Sequence, residues 1–147
     1  MKGDVPEEHY EIELFKSHIE KEGTDITIVA TMAMVALAKK AVKKLESLGI
    51  SAEIINPRTL FPLDKETIKV SVAKTGRLVI LQEGPKVMGA GAEMGAMIAE
   101  ELFEYLKAPV KRVTSLDVPV AFAPVLEDYI NPSEEHLIKA CQSAMNF

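Results

Sequence analysis

The chain has 147 residues, of which 48% are hydrophobic and 27% charged, and a formal net charge of −5. This length fits one domain with one core, and no apolar run approaches the roughly 18 residues that a membrane span needs. The net negative charge argues against non-specific electrostatic binding to nucleic acid. A single cysteine, Cys141, cannot close an internal disulfide, which suits a reducing compartment.

The first half of the chain predicts alternating strands and helices. Residues 1–24 are polar and charge-dense, which is typical of an interdomain linker, and they contain a short strand near residues 17–21. The compact domain starts near Asp25. The β-branched run at 26–30 predicts a strand buried on both faces. A helix follows with Gly49 as its stop, and its apolar face is formed by Leu37, Ala38, Ala41, Val42, Leu45 and Leu48.

The same alternation continues to the C terminus. Residues 50–55 predict a strand, after which Asp64 can cap a helix that Gly76 terminates. A strand at 78–81, a helix at about 92–107 and a strand at 110–113 come next. In the final helix we expect Asn131 as the cap and Pro132 in the first turn, with an end near Met145.

Strands joined by helices of 11 to 16 residues pair in parallel through right-handed crossovers. The predicted fold class is therefore α/β, as a three-layer α/β/α sandwich.

Polar and glycine residues gather beyond the carboxyl ends of two predicted strands. Arg58 and Glu83 lie at the rim where open α/β sheets collect ligands, and their charges could pair across it. The turn with Gly89 and Gly91 does not match a dinucleotide fingerprint, because the third glycine position is Met94. We interpret it as a tight turn packed closely on the sheet, although an anion at the following helix start stays physically possible.

Nothing in the chain predicts a self-contained active site. The three histidines have no ligand spacing and are interpreted as solvated, and Cys141 lies on an apolar helix face as a packed thiol. We therefore predict no catalytic, cofactor-binding or metal-binding residue. Acid gathers on the last third of the chain, where it forms either a solvated face or a docking surface.

An ordered set of motifs resembles a known family. The set includes the linker pair Val5-Pro6 with Tyr10, the segment 58–64 with Arg58, Pro62 and Asp64, the turn Glu83-Gly84 to Gly91, and later Asp117, Pro119 and Leu126-Glu127. It resembles the C-terminal domain of the beta subunit of thiamine-diphosphate-dependent 2-oxo-acid dehydrogenases, in the transketolase C-terminal-domain family. Where that family often has Trp-Pro after Glu-Gly, this chain has Pro85-Lys86.

The resemblance implies several expectations about architecture. Residues 25–147 form the transketolase C-terminal-like domain, with a mostly parallel five-stranded sheet whose first strand is an antiparallel edge. Arg58, Glu83, Gly89 and Gly91 serve subunit or domain contact. The pyrimidine-binding domain, which precedes this domain in the family, lies outside this sequence.

It also implies partners and a role. The partners are that pyrimidine-binding domain, an alpha subunit and the binding domain of the dihydrolipoyl acyltransferase, which would dock at Glu101, Glu104 and Phe147. The full enzyme uses thiamine diphosphate and magnesium, whereas this domain binds neither and is inactive alone, in the cytoplasm or the mitochondrial matrix of a eukaryote. We also expect a homodimer, with apolar edges at residues 32–34 and 94–97.

Two alternatives stay open. One is a free-standing flavodoxin-like module that holds an anion or a nucleotide, for which the turn at Gly89 and Gly91 is the support. The other is the C-terminal domain of a transketolase or of a deoxyxylulose-phosphate synthase.

Overall fold

A computed structural model describes residues 6–147, so Val5 of the linker motif lies outside the described residues. Its centre is one five-stranded sheet in the order β1-β3-β2-β4-β5. The strand β1 pairs with β3 in antiparallel orientation, and all other neighbours pair in parallel. The strands are β1 (His18–Lys21), β2 (Ile26–Ala30), β3 (Ala52–Asn56), β4 (Leu78–Pro85) and β5 (Lys111–Ser115).

Helices cover both faces of this sheet. They are α1 (Met34–Ser47), α2 (Lys65–Thr75), α3 (Ala90–Glu101), α4 (Pro124–Ile130) and α5 (Glu134–Met145). One core cluster joins α1 and α5 to one face of the sheet, and a second joins α2 and α3 to the other. The predicted fold class, a three-layer sandwich with one antiparallel edge strand, is therefore confirmed.

Local signals placed several boundaries correctly. Asp64 is the N-cap of α2 and accepts the backbone N–H of Thr67, as predicted. Gly76 ends that helix with a φ of 73°, a left-handed conformation that glycine adopts without steric cost. Every residue of β2 is buried, which fits a central strand covered on both faces.

Other boundaries differ from the prediction. The helix expected at 92–107 ends at Glu101 and is followed by a short 3₁₀ turn. Asn131 is the C-cap of α4, a helix that was not predicted, whereas α5 begins after Ser133. His136 is not merely solvated, because its Nδ1 accepts the Ser133 N–H while the Ser133 hydroxyl accepts the His136 N–H, both at 3.3 Å. Leu48 is 42% exposed and lies outside the core.

A polar network is buried between β3 and α2, beside the turn after β1. The Glu53 side chain is 1% exposed and contacts the ammonium of Lys74, while the Gly23 N–H donates to the same carboxylate at 3.3 Å. Glu22 lies 3.4 Å from the same ammonium of Lys74. The network ties the edge-strand segment to the centre of the fold.

None of the helices between residues 6 and 147 is long and apolar enough to cross a lipid bilayer.

Candidate functional site

The loops that follow β2 to β5 lie together at one edge of the sheet, because the carboxyl ends of parallel strands share an edge. We call this surface the carboxyl rim. It comprises residues 31–33, 57–64, 83–89 and 116–123 and the adjacent helix α4. Arg58 and Gly89 belong to it, as predicted from their positions after strands. Glu83 lies near the end of the longer strand β4 rather than beyond it, and Gly91 lies just behind the rim in α3.

Arg58 is held at the rim by its backbone. Its φ is 57°, a strained value for a residue with a side chain, and its N–H donates to Asn56 Oδ1 at 3.1 Å. Asn56 in turn donates to Glu20 on β1 at 3.0 Å, and Glu20 contacts Lys39. Burial, the largest single cause, raises the pKa of Glu20, but the hydrogen bonds with Lys39 and Asn56 and the nearby positive charges together outweigh it and lower the pKa. The charged chain thus fixes the loop that presents Arg58.

The glycine turn is closed by Gln82, a residue that sequence reasoning missed. Its Oε1 accepts the Gly91 N–H at 2.6 Å and its Nε2 donates to the Pro85 carbonyl at 2.9 Å. A Cβ at Gly91 would lie 2.8 Å from Gln82 Oε1 and 2.9 Å from Ile80, and a Cβ at Gly89 would overlap Gln82 and Pro85. Close packing therefore explains both glycines, which agrees with the tight-turn interpretation.

The start of α3 offers little to an anion or to a diphosphate. Gly91 N–H donates to Gln82, and Ala92 N–H donates to the Gly89 carbonyl at 2.8 Å. A phosphate at a helix start needs such N–H groups to be free. Among residues 6–147, no group of three or more His, Cys, Asp and Glu side chains could hold a metal ion. The two N–H groups that a diphosphate at the start of α3 would need are thus already bonded within the chain.

Glu83 and Glu127 line one cavity at the β4–β5 end of the rim. The cavity has a volume of about 300 Å³, and its other walls are Pro85, apolar residues of the loop after β5, Ile130 and the polar residues Ser115 and Asn131. The Ser115 hydroxyl contacts the Glu83 carbonyl oxygen and lies 2.9 Å from Asn131 Oδ1, which joins β4, β5 and the end of α4. Arg58 and Glu83 form no ion pair with each other within the described chain, so the predicted pairing across the rim does not occur.

The rim exposes large apolar side chains to an unusual extent. Eleven of them are exposed by 48% or more: Met32, Leu60, Phe61, Val87, Met88, Val118, Val120, Phe122, Val125, Leu126 and Tyr129. A monomeric soluble protein rarely presents so much contiguous apolar surface without a partner. Of the predicted methionine edges, Met32 is 82% exposed, whereas Met94 and Met97 are only 3% and 5% exposed. The edge predicted at 94–97 is therefore wrong, since those methionines pack into the core.

The residues proposed for acyltransferase docking lie at the opposite edge. Lys107 N–H donates to the Gly76 carbonyl at 2.8 Å, and Arg77 Nε donates to the Ala144 carbonyl at 3.0 Å. These bonds hold the segment after α3 and the end of α5 to the amino ends of the strands. Glu101 is already paired with Lys69 at 3.0 Å, and the hydrogen bond with Lys69 lowers its pKa. Glu104 and Phe147 are exposed.

Cys141 is buried in α5 against the first core cluster. Burial raises the pKa of its thiol to about 12, so almost no thiolate forms at neutral pH. The thiol is a packed group, as the apolar helix face predicted.

Residues 16–137 match the family described as "Transketolase, C-terminal domain". This chain belongs to that family. It is 41% identical over 94% of its length to the acetoin:2,6-dichlorophenolindophenol oxidoreductase subunit beta of Bacillus subtilis. It is 47% identical over 88% of its length to the pyruvate dehydrogenase E1 component subunit beta-1, mitochondrial, of Arabidopsis thaliana. The chain spans only 40% and 36% of these curated relatives.

A solved structure supports the same family assignment. A protein described as a split gene transketolase, in an inactive beta4 tetramer, superposes with a TM-score of 0.81 at 30% identity. The superposition covers 98% of this chain and 46% of that one. In each comparison the family domain is one part of a longer polypeptide.

Proposed function

We propose that this chain forms the C-terminal domain of the beta subunit of a thiamine-diphosphate-dependent 2-oxo-acid dehydrogenase. In this role the domain supports subunit assembly and carries no catalytic group during oxidative decarboxylation of a 2-oxo acid. The observation that supports a role in assembly is the exposed apolar surface of the carboxyl rim. The beta-subunit assignment is supported by relatives that are named as beta subunits and are similar to the chain over nearly its whole length. The partners at this surface would be the pyrimidine-binding domain of the same subunit, the alpha subunit and a second copy.

A chimera tests this role directly. This chain would replace the corresponding 138-residue segment of the Bacillus subtilis acetoin oxidoreductase beta subunit. We expect the chimera to form a complex with the alpha subunit and to retain activity with thiamine diphosphate and magnesium. The matched control carries Phe61→Asp and Phe122→Asp at the rim, and we expect it to fold but to assemble poorly. A chimera that stays soluble and folded yet never assembles would contradict the proposal.

The isolated chain provides a second, independent measurement. With thiamine diphosphate, magnesium, a 2-oxo acid and an electron acceptor it should release no carbon dioxide above the buffer rate. The physical reason is that the Gly91 and Ala92 N–H groups at the start of α3 are already bonded within the chain, and that no group of three or more His, Cys, Asp and Glu side chains among residues 6–147 could hold a metal ion. Measured turnover by the isolated chain would refute the assignment of a supporting role.

We further propose that residues 1–24 comprise the interdomain linker with the edge strand and that residues 25–147 form the domain proper. The family match begins at residue 16, and β1 starts two residues later. The linker exposes Tyr10, Ile12 and Leu14 by more than half, which suits a segment covered by a preceding domain. The compartment would be the cytoplasm, or the mitochondrial matrix in a eukaryote.

Docking of the dihydrolipoyl acyltransferase is proposed at the amino edge, opposite the rim. Glu104 and the carboxylate of Phe147 are exposed there, so they could meet a basic binding domain while the rim holds the sister domains. Glu101 contributes less in this arrangement because Lys69 already neutralises it. The carboxyl rim and the proposed docking surface thus lie at opposite ends of one domain.

The docking proposal is tested by affinity for the acyltransferase binding domain. Glu104→Gln and amidation of the C terminus should each weaken binding several-fold, and 500 mM salt should slow association. Glu100→Gln, one turn away on α3, is the matched control and should leave binding unchanged. If none of these changes affects affinity for the acyltransferase binding domain, the docking surface lies elsewhere.

The transketolase alternative keeps the support of the split gene transketolase structure, at 30% identity. The chimera separates the alternatives, since a transketolase domain in the same position should not restore oxidation of the relative's substrate. The flavodoxin-like alternative is weakened by the occupied N–H groups of α3. Calorimetry with flavin and adenine nucleotides should therefore detect no binding.

A further inference from the structure

The strand β5 is an open edge of the sheet. It is the last strand in the order β1-β3-β2-β4-β5, and it pairs with β4 on one side. In a parallel ladder, alternate residues of a strand bond to its neighbour, so the remaining N–H and C=O groups of β5 point away from the sheet. Among residues 6–147, no helix or loop forms a backbone hydrogen bond with residues 111–115. These backbone groups are therefore available to an added strand.

A basic cavity lies beside this edge, on the side covered by α5. It has a volume of about 420 Å³ and is lined by the backbone of β5 and by the side chains of Lys86, Arg112, His136 and Lys139. One carboxylate, that of Asp117, also lines the cavity, and it already accepts the Val87 N–H at 2.9 Å. Three cations thus face one acid here, although the whole chain has a formal net charge of −5.

The basic side chains retain donors for a ligand. Lys86 and Arg112 form no ion pair in the part of the chain that the structure describes, although one guanidinium nitrogen of Arg112 donates to the Lys86 carbonyl at 2.7 Å. Lys139 pairs with Glu135 at 2.6 Å, and its ammonium has two further N–H groups. His136 Nδ1 accepts the backbone N–H of the N-cap of α5, so the donor of the ring is Nε2.

An apolar cavity lies on the other side of the same edge. It has a volume of about 370 Å³, and its walls include Ala92, Gly95, Ala96, Ala99, Leu106 and Val110. The small residues on α3 leave room between that helix and β5. Arg112 borders both cavities, so the edge of β5 separates a basic groove from an apolar one.

The pleat of the sheet determines what an added strand would present to these grooves. Val113 packs in the core cluster that contains α5, whereas Val110 packs against the cluster that contains α3. Successive side chains of a strand point to opposite faces of a sheet. A strand added to β5 would therefore direct alternate side chains into the basic cavity and into the apolar one.

We propose that the edge of β5 binds an extended segment of a partner protein in which acidic and apolar residues alternate. The segment adds one strand to the sheet over the five residues of β5. Its carboxylates enter the basic cavity, and its apolar side chains fill the cavity beside α3. Main-chain hydrogen bonds supply affinity, and the two cavities supply specificity.

The charge at this edge also selects against the wrong partner. A second β5 edge would bring Lys86, Arg112 and Lys139 against the same cations, and like charges in close contact disfavour such pairing. The proposed segment differs in chemistry from the basic acyltransferase domain expected at Glu104 and Phe147. The inference therefore goes beyond the proposed function and does not depend on it.

Peptide binding to the whole chain tests this inference. The probe is a synthetic peptide of about seven residues in which glutamate and valine alternate, and binding is followed by fluorescence anisotropy. We expect a Kd of about 100 μM or lower. A peptide with lysine in place of glutamate should not bind at about 1 mM, because its cations meet the basic cavity. N-methylation of alternate amides keeps the charge but removes strand bonds, so it should weaken binding at least tenfold.

Variants of the chain locate the bound peptide. Lys86→Glu with Lys139→Glu should weaken binding at least tenfold, whereas Lys40→Glu with Lys43→Glu, which makes the same change of charge on exposed positions of α1, should change it less than twofold. Ala96→Phe fills the apolar cavity and should also weaken binding at least tenfold. Its control is Val70→Phe on the exposed face of α2. Circular dichroism melting checks that each variant folds.

Hydrogen exchange gives a readout at the strand itself. Bound peptide should slow exchange of outward-facing amides within residues 111–115 and leave β1, the other edge of the sheet, unchanged. Protection at β1 instead of β5, or equal binding by the N-methylated peptide, would refute strand addition at this edge. An absence of binding at about 1 mM would also refute it. Self-association of the chain that the peptide displaces would assign the edge to a second copy and overturn the proposed partner.

Discussion

Removing the Lys74 ammonium should destabilise the fold, because the buried Glu53 carboxylate would lose the cation that offsets its desolvation. Lys74→Met keeps the aliphatic stem and removes the cation, which leaves the Glu53 carboxylate 1% exposed and bonded only to neutral donors such as the Gly23 N–H. Breaking a fully buried ion pair costs about 3–5 kcal/mol. Because the Lys74 side chain is 41% exposed, water can reach the gap, so we expect about 2–3 kcal/mol.

The stability that Lys74→Met loses should depend on pH in a defined direction. Burial, the largest single cause, raises the pKa of Glu53, but the hydrogen bonds with Lys74, Ser71, Glu22 and the Gly23 N–H together outweigh it, so the pKa is lowered in the folded protein. The stabilisation is therefore present above the unfolded pKa and is lost as pH falls through the folded one. In Lys74→Met, burial acts without the opposing bond from Lys74, so the pKa of the Glu53 carboxyl should rise relative to its pKa in the wild type. The deficit should then shrink between pH 7.5 and pH 5.

Urea denaturation followed by circular dichroism measures the effect at both pH values. A change of 2–3 kcal/mol corresponds to a shift of roughly 4–12 °C in Tm for a chain of this size. Lys69→Met is the matched control, since Lys69 pairs with Glu66 and Glu101 at the surface, and it should lose much less stability. The reasoning is refuted if the two variants lose equal stability, or if the deficit of Lys74→Met does not shrink at pH 5.

Three further changes probe local packing. Gly91→Ala should lower the free energy of unfolding by about 1–3 kcal/mol in urea denaturation, because the added Cβ has no room. At Gly95 an added Cβ meets only ordinary contacts at 3.7 Å or more, so Gly95→Ala should be neutral or stabilising by up to about 1 kcal/mol. Equal effects would contradict the packing argument. Asp64→Ala should cost about 1–2 kcal/mol, since it removes the cap of α2 and the bond from the Ser17 N–H; an unchanged urea midpoint would count against it. Native Cys141 should react with a thiol reagent no faster than the protein opens, because its pKa is about 12; rapid stoichiometric labelling at pH 8 would show an accessible thiolate.

The sequence by itself determined the layers of this protein. The face of α1 that carries Ala38, Ala41, Val42 and Leu45 is buried, because helical spacing places those residues on one side. The β-branched run of β2 could only be stable between two covered faces, and its five residues are buried. Asp64 and Gly76 fixed the ends of α2 because capping depends on residues within a few positions.

Periodicity failed where the local signal was weak or ambiguous. The helix α4 has only seven residues and buries none of them, so the sequence contains no apolar face from which it could be predicted. Asn131 and Ser133 are both good caps, and the choice between them depended on the contact of Asn131 with Ser115 on β5. Sequence also could not separate Met32, which is exposed, from Met94 and Met97, which are buried, because methionine suits both environments.

Only the tertiary structure decided what the carboxyl rim can do. Gln82 bonds to a glycine nine residues away, and this contact, invisible to local patterns, occupies an N–H group that a phosphate would need. Arg58 was correctly placed beyond β3, whereas Glu83 lies within β4, and β2 lies between β3 and β4 and keeps the two residues from pairing. Strand order sets which loops become neighbours, and long-range pairing rather than local spacing fixes that order. The chemistry of this surface therefore follows from the fold as a whole.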